Sequence, residues 1–227
     1  MSRCLGLLTI GQAPRTDVVP AMLPHLGQDV EVVEAGCLDG LQREQIAALA
    51  PGREDYVLTT RLADGSSVVV GRQHVERLLP RKVKELAERG AGAIALLCTG
   101  DFGAEPRIAG VPVLHPDRVV AQMVAAVLEP GVTLGVLTPL PSQVEQTRRK
   151  WAPIVGPGRL AVEPATPYGP PEGVTEAADR LRAAAPSLVV MDCIGYLPSM
   201  KTVVRKTVGC PVILANTIVA RFLAELA

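Results

Sequence analysis

Two hydrophobic patterns alternate along this chain. Short unbroken apolar runs end in glycine-bearing turns, and longer segments carry apolar residues three and four positions apart. The first pattern reads as a strand buried on both faces of a parallel sheet, the second as an amphipathic helix. Strands are expected over residues 5–10, 30–34, 93–97, 111–114, 134–138, 160–164, 188–191 and 210–214. Helices are expected over 18–26, kept brief or irregular by Pro20 and Pro24, and over 41–49 and 75–89, with Pro80 as a candidate break and Gly90 as the stop. Further helices are expected over 118–128 after the cap Asp117, from the capping-box run Ser142-Gln143-Val144-Glu145 to about Trp151, over 174–185, and after the cap Asn216. One segment breaks the alternation: residues 56–62 and 67–70 flank Asp64-Gly65, a strong hairpin signal. Such an insertion serves as an edge addition, a lid or a dimer contact.

The pattern runs through the chain twice. Leu5-Gly6-Leu7-Leu8-Thr9 returns as Leu134-Gly135-Val136-Leu137-Thr138, the strand ending in Cys98-Thr99-Gly100 returns as the one ending in Cys193-Ile194-Gly195, and Val111-Pro112-Val113-Leu114 returns as Cys210-Pro211-Val212-Ile213. The offsets are 129, 95 and 99 residues, and the hairpin accounts for the drop. The expected architecture is α/β: two pseudo-symmetric lobes, 1–130 and 131–227, each a mainly parallel sheet flanked by helices, with the hairpin at about 56–71 in the first. The last helix is free to pack back across the lobe boundary.

Composition narrows the function. With 23 basic and 23 acidic residues in 227, and few aromatics, nothing suggests nucleic acid or an anionic membrane as a partner. The first apolar run is too short for a signal peptide or a membrane span. Five widely spaced cysteines without a Cys-x-x-Cys pair fit reduced cytoplasmic thiols better than disulfides or zinc, and His25, His74 and His115 lack metal-ligand spacing.

Open α/β sheets bind ligands at the carboxyl ends of their strands, which is where Cys98 and Cys193 stand. Moving a proton off and back onto a carbon beside a carbonyl needs an acid/base group on each side. A thiol, with an ordinary pKa of ~8.5, is suited to the task once hydrogen bonds draw it toward neutrality. Amides at Thr99, Gly100, Ile194 and Gly195 and the Thr99 hydroxyl are candidate donors to the enolate. Arg15 or Arg61 could fork onto a substrate carboxylate. Gln12, Thr138 and Tyr196 complete the candidates, each with a structural role as the alternative. Cys4, Cys37 and Cys210 are read as buried small hydrophobes. The scheme requires no cofactor. Its partner is a small carboxylate or cyclic amide, and exposed sheet or hairpin edges would allow a homodimer.

The runs Ile10-Gly11-Gln12-Ala13-Pro14-Arg15, Leu38-Asp39-Gly40-Leu41, Thr60-Arg61-Leu62-Ala63-Asp64-Gly65, Leu97-Cys98-Thr99-Gly100 and Asp192-Cys193-Ile194-Gly195-Tyr196 together resemble the AroM family over nearly the whole chain. That family is similar to the aspartate/glutamate/hydantoin racemase superfamily, and the resemblance implies two cysteines working between pseudo-symmetric lobes. The chain departs from the Cys-Asn-Thr and Gly-Cys-Thr runs common in those racemases, with Cys98-Thr99-Gly100 at the first site and Asp192-Cys193-Ile194 at the second. Asp192 would oppose ionisation of Cys193 if it pointed inward, whereas strand alternation would turn it away. The leading expectation is a cofactor-independent racemase or epimerase of an amino acid or derivative such as a hydantoin. The alternatives are a single-thiol decarboxylase or cis-trans isomerase of a dicarboxylic acid, and a non-catalytic small-molecule-binding protein.

Overall fold

The computed structural model describes residues 3–103, 107–156 and 159–227. The chain divides into two compact units, residues 1–116 with 219–227, and residues 117–218.

The first unit runs β1 (Arg3–Thr9), α1 (Val19–Met22), β2 (Val30–Gly36), α2 (Arg43–Ala47), β3 (Val57–Arg61), β4 (Ser67–Gly71), α3 (Arg72–Glu88), β5 (Ala93–Leu97) and β6 (Val113–Leu114). Its main sheet has the order β2-β1-β5-β6, with all neighbours parallel. The second unit holds α4 (Pro116–Val127, from its second residue), β7 (Leu134–Thr138), α5 (Val144–Val155), β8 (Leu160–Pro164), α6 (Pro171–Ala183), β9 (Leu188–Met191), α7 (Pro198–Val208), β10 (Val212–Leu214) and the first turn of α8 (Ala215–Ala224). Its sheet, read from the matching edge, is β8-β7-β9-β10, again all parallel. The fold is therefore α/β with two parallel sheets flanked by helices, and the two sheets repeat one strand order.

The repeated Leu-Gly pair has a packing cause. A Cβ on Gly6 would stand 2.9 Å from Ile94 Cγ1 and 3.3 Å from Leu86 Cδ1 of α3, and one on Gly135 would stand 3.0 Å from Val189 Cγ2 and 3.5 Å from Leu181 Cδ2 of α6. In each unit a helix rests on the glycine of the central strand, and any side chain there would lift it. Around these contacts lie two apolar cores. Leu8, Leu58, Val75, Leu79, Leu86 and Leu96 belong to the first, and Leu137, Val174, Leu181, Met191, Tyr196 and Val204 to the second.

Several elements differ from the sequence reading. The hairpin adds no strand to the main sheet: β3 and β4 form a separate antiparallel pair, with Leu58 and Val70 turned into the first core and Val69 outward. Helix α3 starts at Arg72 and runs through Pro80 unbroken, because Val75, Leu79, Val83 and Leu86 bury one continuous face. The lost backbone bond does not outweigh that burial. The unit boundary precedes α4 rather than following it at 130, so Pro130-Gly131 is a turn inside the second unit. Asn216 does not cap α8. It lies within the helix, and its Nδ2 donates to the Ile194 carbonyl at 3.2 Å and the Tyr196 carbonyl at 2.5 Å. Helix α7 has no counterpart in the sequence reading. Its signals are Pro198 at the start, Arg205 and Lys206 in the last turn, and Gly209 with φ 73° beyond the end.

Candidate functional site

The sheet registers put the two thiols at one structural position. Strand β1 pairs with β5 so that Leu5 faces Ala93 and Thr9 faces Leu97. Strand β7 pairs with β9 so that Leu134 faces Leu188 and Leu137 faces Met191. Laying Leu5-Gly6 over Leu134-Gly135 therefore lays Leu97 over Asp192 and Cys98 over Cys193. Both cysteines are half-buried, and each follows a strand whose residues are all buried. At each, the chain leaves the sheet through a glycine turn whose amide comes back to sulfur: Gly100 N–H donates to Cys98 Sγ at 3.3 Å, and Gly195 N–H to Cys193 Sγ at 3.3 Å. A donor aimed at sulfur stabilises it when it carries negative charge. The Gly100 and Gly195 amides, expected among the donors to an enolate, are thus engaged with the thiols.

The surroundings differ. The Cys98 turn is held by the first unit's own elements: Asp101 N–H donates to Tyr56 Oη at 3.2 Å, Arg72 Nη1 donates to the Asp101 carbonyl at 2.9 Å, and Gly103 N–H donates to Glu76 Oε1 at 2.9 Å. Leu58 of the hairpin presses on it, with Cδ2 2.6 Å from where a Cβ on Gly100 would be, and buried Phe102 stands 3.6 Å from the same point. Thr99 is buried within the turn.

At the Cys193 turn the corresponding contact is a phenol. Tyr168, in the loop after β8, brings its hydroxyl within 2.6 Å of where a Cβ on Gly195 would be. Ile194 is buried, with its carbonyl held by Asn216. Tyr196 is fully buried and donates to the Ala165 carbonyl at 2.5 Å, so its side chain belongs to the core of the unit and not to an open ligand surface. Burial and the neighbouring Cys193 and Asp192 hold that phenol well above its ordinary pKa. Asp192 turns to α5. Lys150 Nζ donates to its two oxygens at 2.9 and 2.8 Å, and Trp151 Nε1 donates to Oδ2 at 2.7 Å. Thr138 is buried and accepts from Thr147 Oγ1 at 3.0 Å.

The remaining candidates lie in the first unit, between the loop after β1 and the hairpin. Gln12 is a brace: Nε2 donates to the Leu38 carbonyl at 3.2 Å, and Oε1 accepts from Ala63 N–H at 3.0 Å. Arg15, only 3% exposed, has the fork expected for a substrate carboxylate occupied by Asp17, at 2.8 and 2.9 Å, and also donates to Thr9 Oγ1 at 3.0 Å. Burial pushes Asp17 upward in pKa, but the hydrogen bond and charge of Arg15, with Arg61 beyond, outweigh it and leave the carboxyl below its ordinary value. Arg61 is the more open of the two guanidinium groups, with Nε on the Gly65 carbonyl at 2.9 Å. Arg15, Asp17 and Arg61 line a polar cavity of about 290 Å³. Asp39 ties the loop together, accepting from Ala13 N–H at 2.8 Å and Gly36 N–H at 2.6 Å.

Of the other cysteines, Cys37 is enclosed, and desolvation pushes its thiol up to about 12, so it stays protonated at neutral pH. Burial also raises Cys4 and Cys210. Tyr168 and Lys150 are absent from the sequence-derived candidates. A tyrosine in a Pro/Gly-rich loop and a lysine in an amphipathic helix carry no local signal of being brought to the residues that flank Cys193. Among the described residues no group of three or more His, Cys, Asp or Glu side chains could hold a metal ion, and no helix is long and apolar enough to cross a membrane.

Solved structures share this arrangement of strands and helices. The chain is similar to an arylmalonate decarboxylase (15% identity, TM-score 0.59, covering 98% of this chain and 92% of that one). It is also similar to a glutamate racemase from Francisella tularensis subsp. tularensis in complex with D-glutamate (14%, 0.64, 99% and 81%) and to an aspartate racemase from Picrophilus torridus (11%, 0.57, 98% and 93%). These likenesses define the fold as that of the aspartate/glutamate racemases and arylmalonate decarboxylase. Over residues 5–227 the sequence matches the model of the AroM protein family, and the chain belongs to that family. No curated protein matches it significantly in sequence.

Proposed function

We propose that the chain moves a proton at a carbon beside a carbonyl, as a cofactor-independent racemase or epimerase of an amino acid or a derivative such as a hydantoin. Cys98 and Cys193 are the two acid/base groups. The observation that carries the reading is their equivalence: each follows the same strand at the same register position and accepts an N–H from the glycine two residues on. One thiolate takes the proton while the other thiol returns one. Such transfers contribute about 10²–10⁴-fold in rate. The glycine amides serve the thiolates, and Arg61 is assigned to the substrate carboxylate. The similarity to racemases and a decarboxylase supports the reaction class and leaves the substrate open.

A second reading is favoured by one observation. Leu58 and Phe102 give the Gly100 side of the Cys98 turn an apolar wall, and such a wall disfavours a bound carboxylate relative to the carbanion left when CO2 departs. One thiol would then protonate that carbanion.

The test is α-proton exchange in D2O followed by NMR over amino acids, N-carbamoyl amino acids, hydantoins and substituted malonates. Enzyme-dependent exchange with inversion, lost in Cys98→Ala and Cys193→Ala, is the expected result. CO2 release from a malonate without inversion selects the second reading. Folded, reduced protein inert across the whole panel would overturn both in favour of a binding protein.

A further inference from the structure

We infer that Lys150 keeps Cys193 reactive by answering the charge of Asp192, the carboxylate one residue before it, which makes Lys150 a positioning residue for that thiol. This deepens the reading of Cys193 as an acid/base group and rests on it.

The register is the starting point. Asp192 occupies the place that Leu97 occupies in the first unit, at the end of the strand and immediately before the cysteine. Leu97 is 3% exposed and packs there without charge, so an apolar residue satisfies this fold at this position. The second unit instead places a carboxylate there and supplies it with Lys150 Nζ on both oxygens and Trp151 Nε1 on one. The side chains of Lys150 and Asp192 are only 11% and 5% exposed. A desolvated pair of this kind seldom stabilises a fold beyond what well-packed apolar residues would achieve. The carboxylate takes the N–H of the fully buried Trp151, which gives it a structural task and leaves its charge to be answered.

The bearing of this pair on the thiol is electrostatic. A carboxylate one residue from a thiol opposes formation of the thiolate unless its charge is answered. Lys150 answers it and, with Trp151, draws the carboxylate toward α5, while the Cys193 side chain packs against the core on which α6 and α7 lie. Among the described residues of this unit, the Tyr196 phenol is near enough to Cys193 to feel its charge, the Tyr168 hydroxyl stands against Gly195 at the end of the turn, and α7 carries Lys201 as its first cation. Tyr196 is buried and stays neutral, so Lys150 and Asp192 are the charged groups that the strand and α5 bring to this corner. Removing one of them leaves the other uncompensated, and the two removals act in opposite directions.

The test reads the thiols directly, so the absence of racemase turnover would not bear on it. Full-length protein is alkylated with iodoacetamide across pH 6–10, and the Cys193 and Cys98 peptides are followed separately by mass spectrometry. Lys150→Met is expected to slow Cys193 alkylation at neutral pH by about tenfold and to move its pH profile upward, with Cys98 unchanged in the same sample. Asp192→Asn is expected to speed Cys193 and move its profile downward. The double variant should return it to within about threefold of wild type. Equal slowing of both thiols, shifts of the same sign in the two single variants, or a Cys193 profile unmoved by Lys150→Met would each overturn the proposal. If Lys150→Met fails to fold, Asp192→Asn decides alone: a faster Cys193 upholds the proposal, and an unchanged or slower one overturns it.

Discussion

The two cysteine turns have one backbone design and two sets of neighbours. At Cys98 the turn is covered by Leu58 of the hairpin and by Phe102, and the preceding residue is Leu97. At Cys193 the cover is the hydroxyl end of Tyr168, and the preceding residue is Asp192, tied to Lys150 and Trp151. The difference in cover between Leu58 and Tyr168 arises where the units are least alike in chain. Between β2 and α3 the first unit inserts α2 and the hairpin, whereas between β8 and α6 the second has only the loop carrying Tyr168. The strand register that presents a thiol is repeated, and the connection above it is what varies. Two turns of the same geometry thus carry their thiols among different neighbours.

The largest effect should come from the thiols themselves. Cys98→Ala and Cys193→Ala are each expected to lower inversion by about a thousandfold. Deuterium exchange from single enantiomers then tells which face each thiol serves. A variant that kept wild-type inversion would break the functional equivalence of the two turns.

Next is the cover over each turn. Leu58 is buried in the first core, so Leu58→Ala is expected to cost about 2–5 kcal/mol in urea unfolding. Tyr168 is only half-buried, and Tyr168→Phe should cost less than about 1 kcal/mol. Equal losses would mean that the two covers contribute alike.

The glycines beneath the helices sharpen the comparison further. Gly6→Ala and Gly135→Ala should each destabilise by about 1–3 kcal/mol, with Gly6 the more sensitive. Its added Cβ would meet Ile94 Cγ1 at 2.9 Å, inside contact distance, while that of Gly135 has its nearest neighbour at 3.0 Å. The reverse order in unfolding midpoints would contradict the packing described.

The smallest effect is one of pH. Asp17 has its carboxyl held below the ordinary value in the folded protein. Its contribution to stability is therefore complete above the unfolded carboxylate pKa of about 3.9 and is lost as pH falls through the lower folded value. Asp17→Asn should consequently be less stable than wild type at neutral pH and approach it in acid. A stability difference that stayed constant between pH 7 and pH 3 would show that the Arg15–Asp17 fork does not carry it.

Much of this was legible in the sequence because the signals are local. Unbroken apolar runs mark strands buried on both faces, Asp64-Gly65 marks a hairpin, and a repeated Leu-Gly pair followed by a repeated strand-cysteine-glycine run marks a duplicated architecture. The misplaced features are those where local and tertiary effects compete. Pro80 is a helix breaker that a continuous buried face overrode, and Asn216 is a good cap that was drawn instead to the Ile194 and Tyr196 carbonyls. The polar network of the first unit was out of reach for the same reason. That Gln12 spans from Leu38 to Ala63 depends on loops far apart in the chain meeting, and the Arg15 fork, though filled by Asp17 only two residues on, is closed by a loop conformation that no residue pattern marks.

By itself, then, the sequence determined the alternation of strands and helices, the duplication and the two candidate thiols, since each is written in spacing and in residue type. Only the tertiary structure decided what surrounds those thiols: the amides returned to sulfur, Leu58 over one turn and Tyr168 over the other, and the charge pair beside Cys193. Apart from the amide-to-sulfur bonds, which span two residues, these contacts join residues separated by tens of positions. A side chain's electrostatic environment is set by such neighbours in space, which no pattern along the chain records.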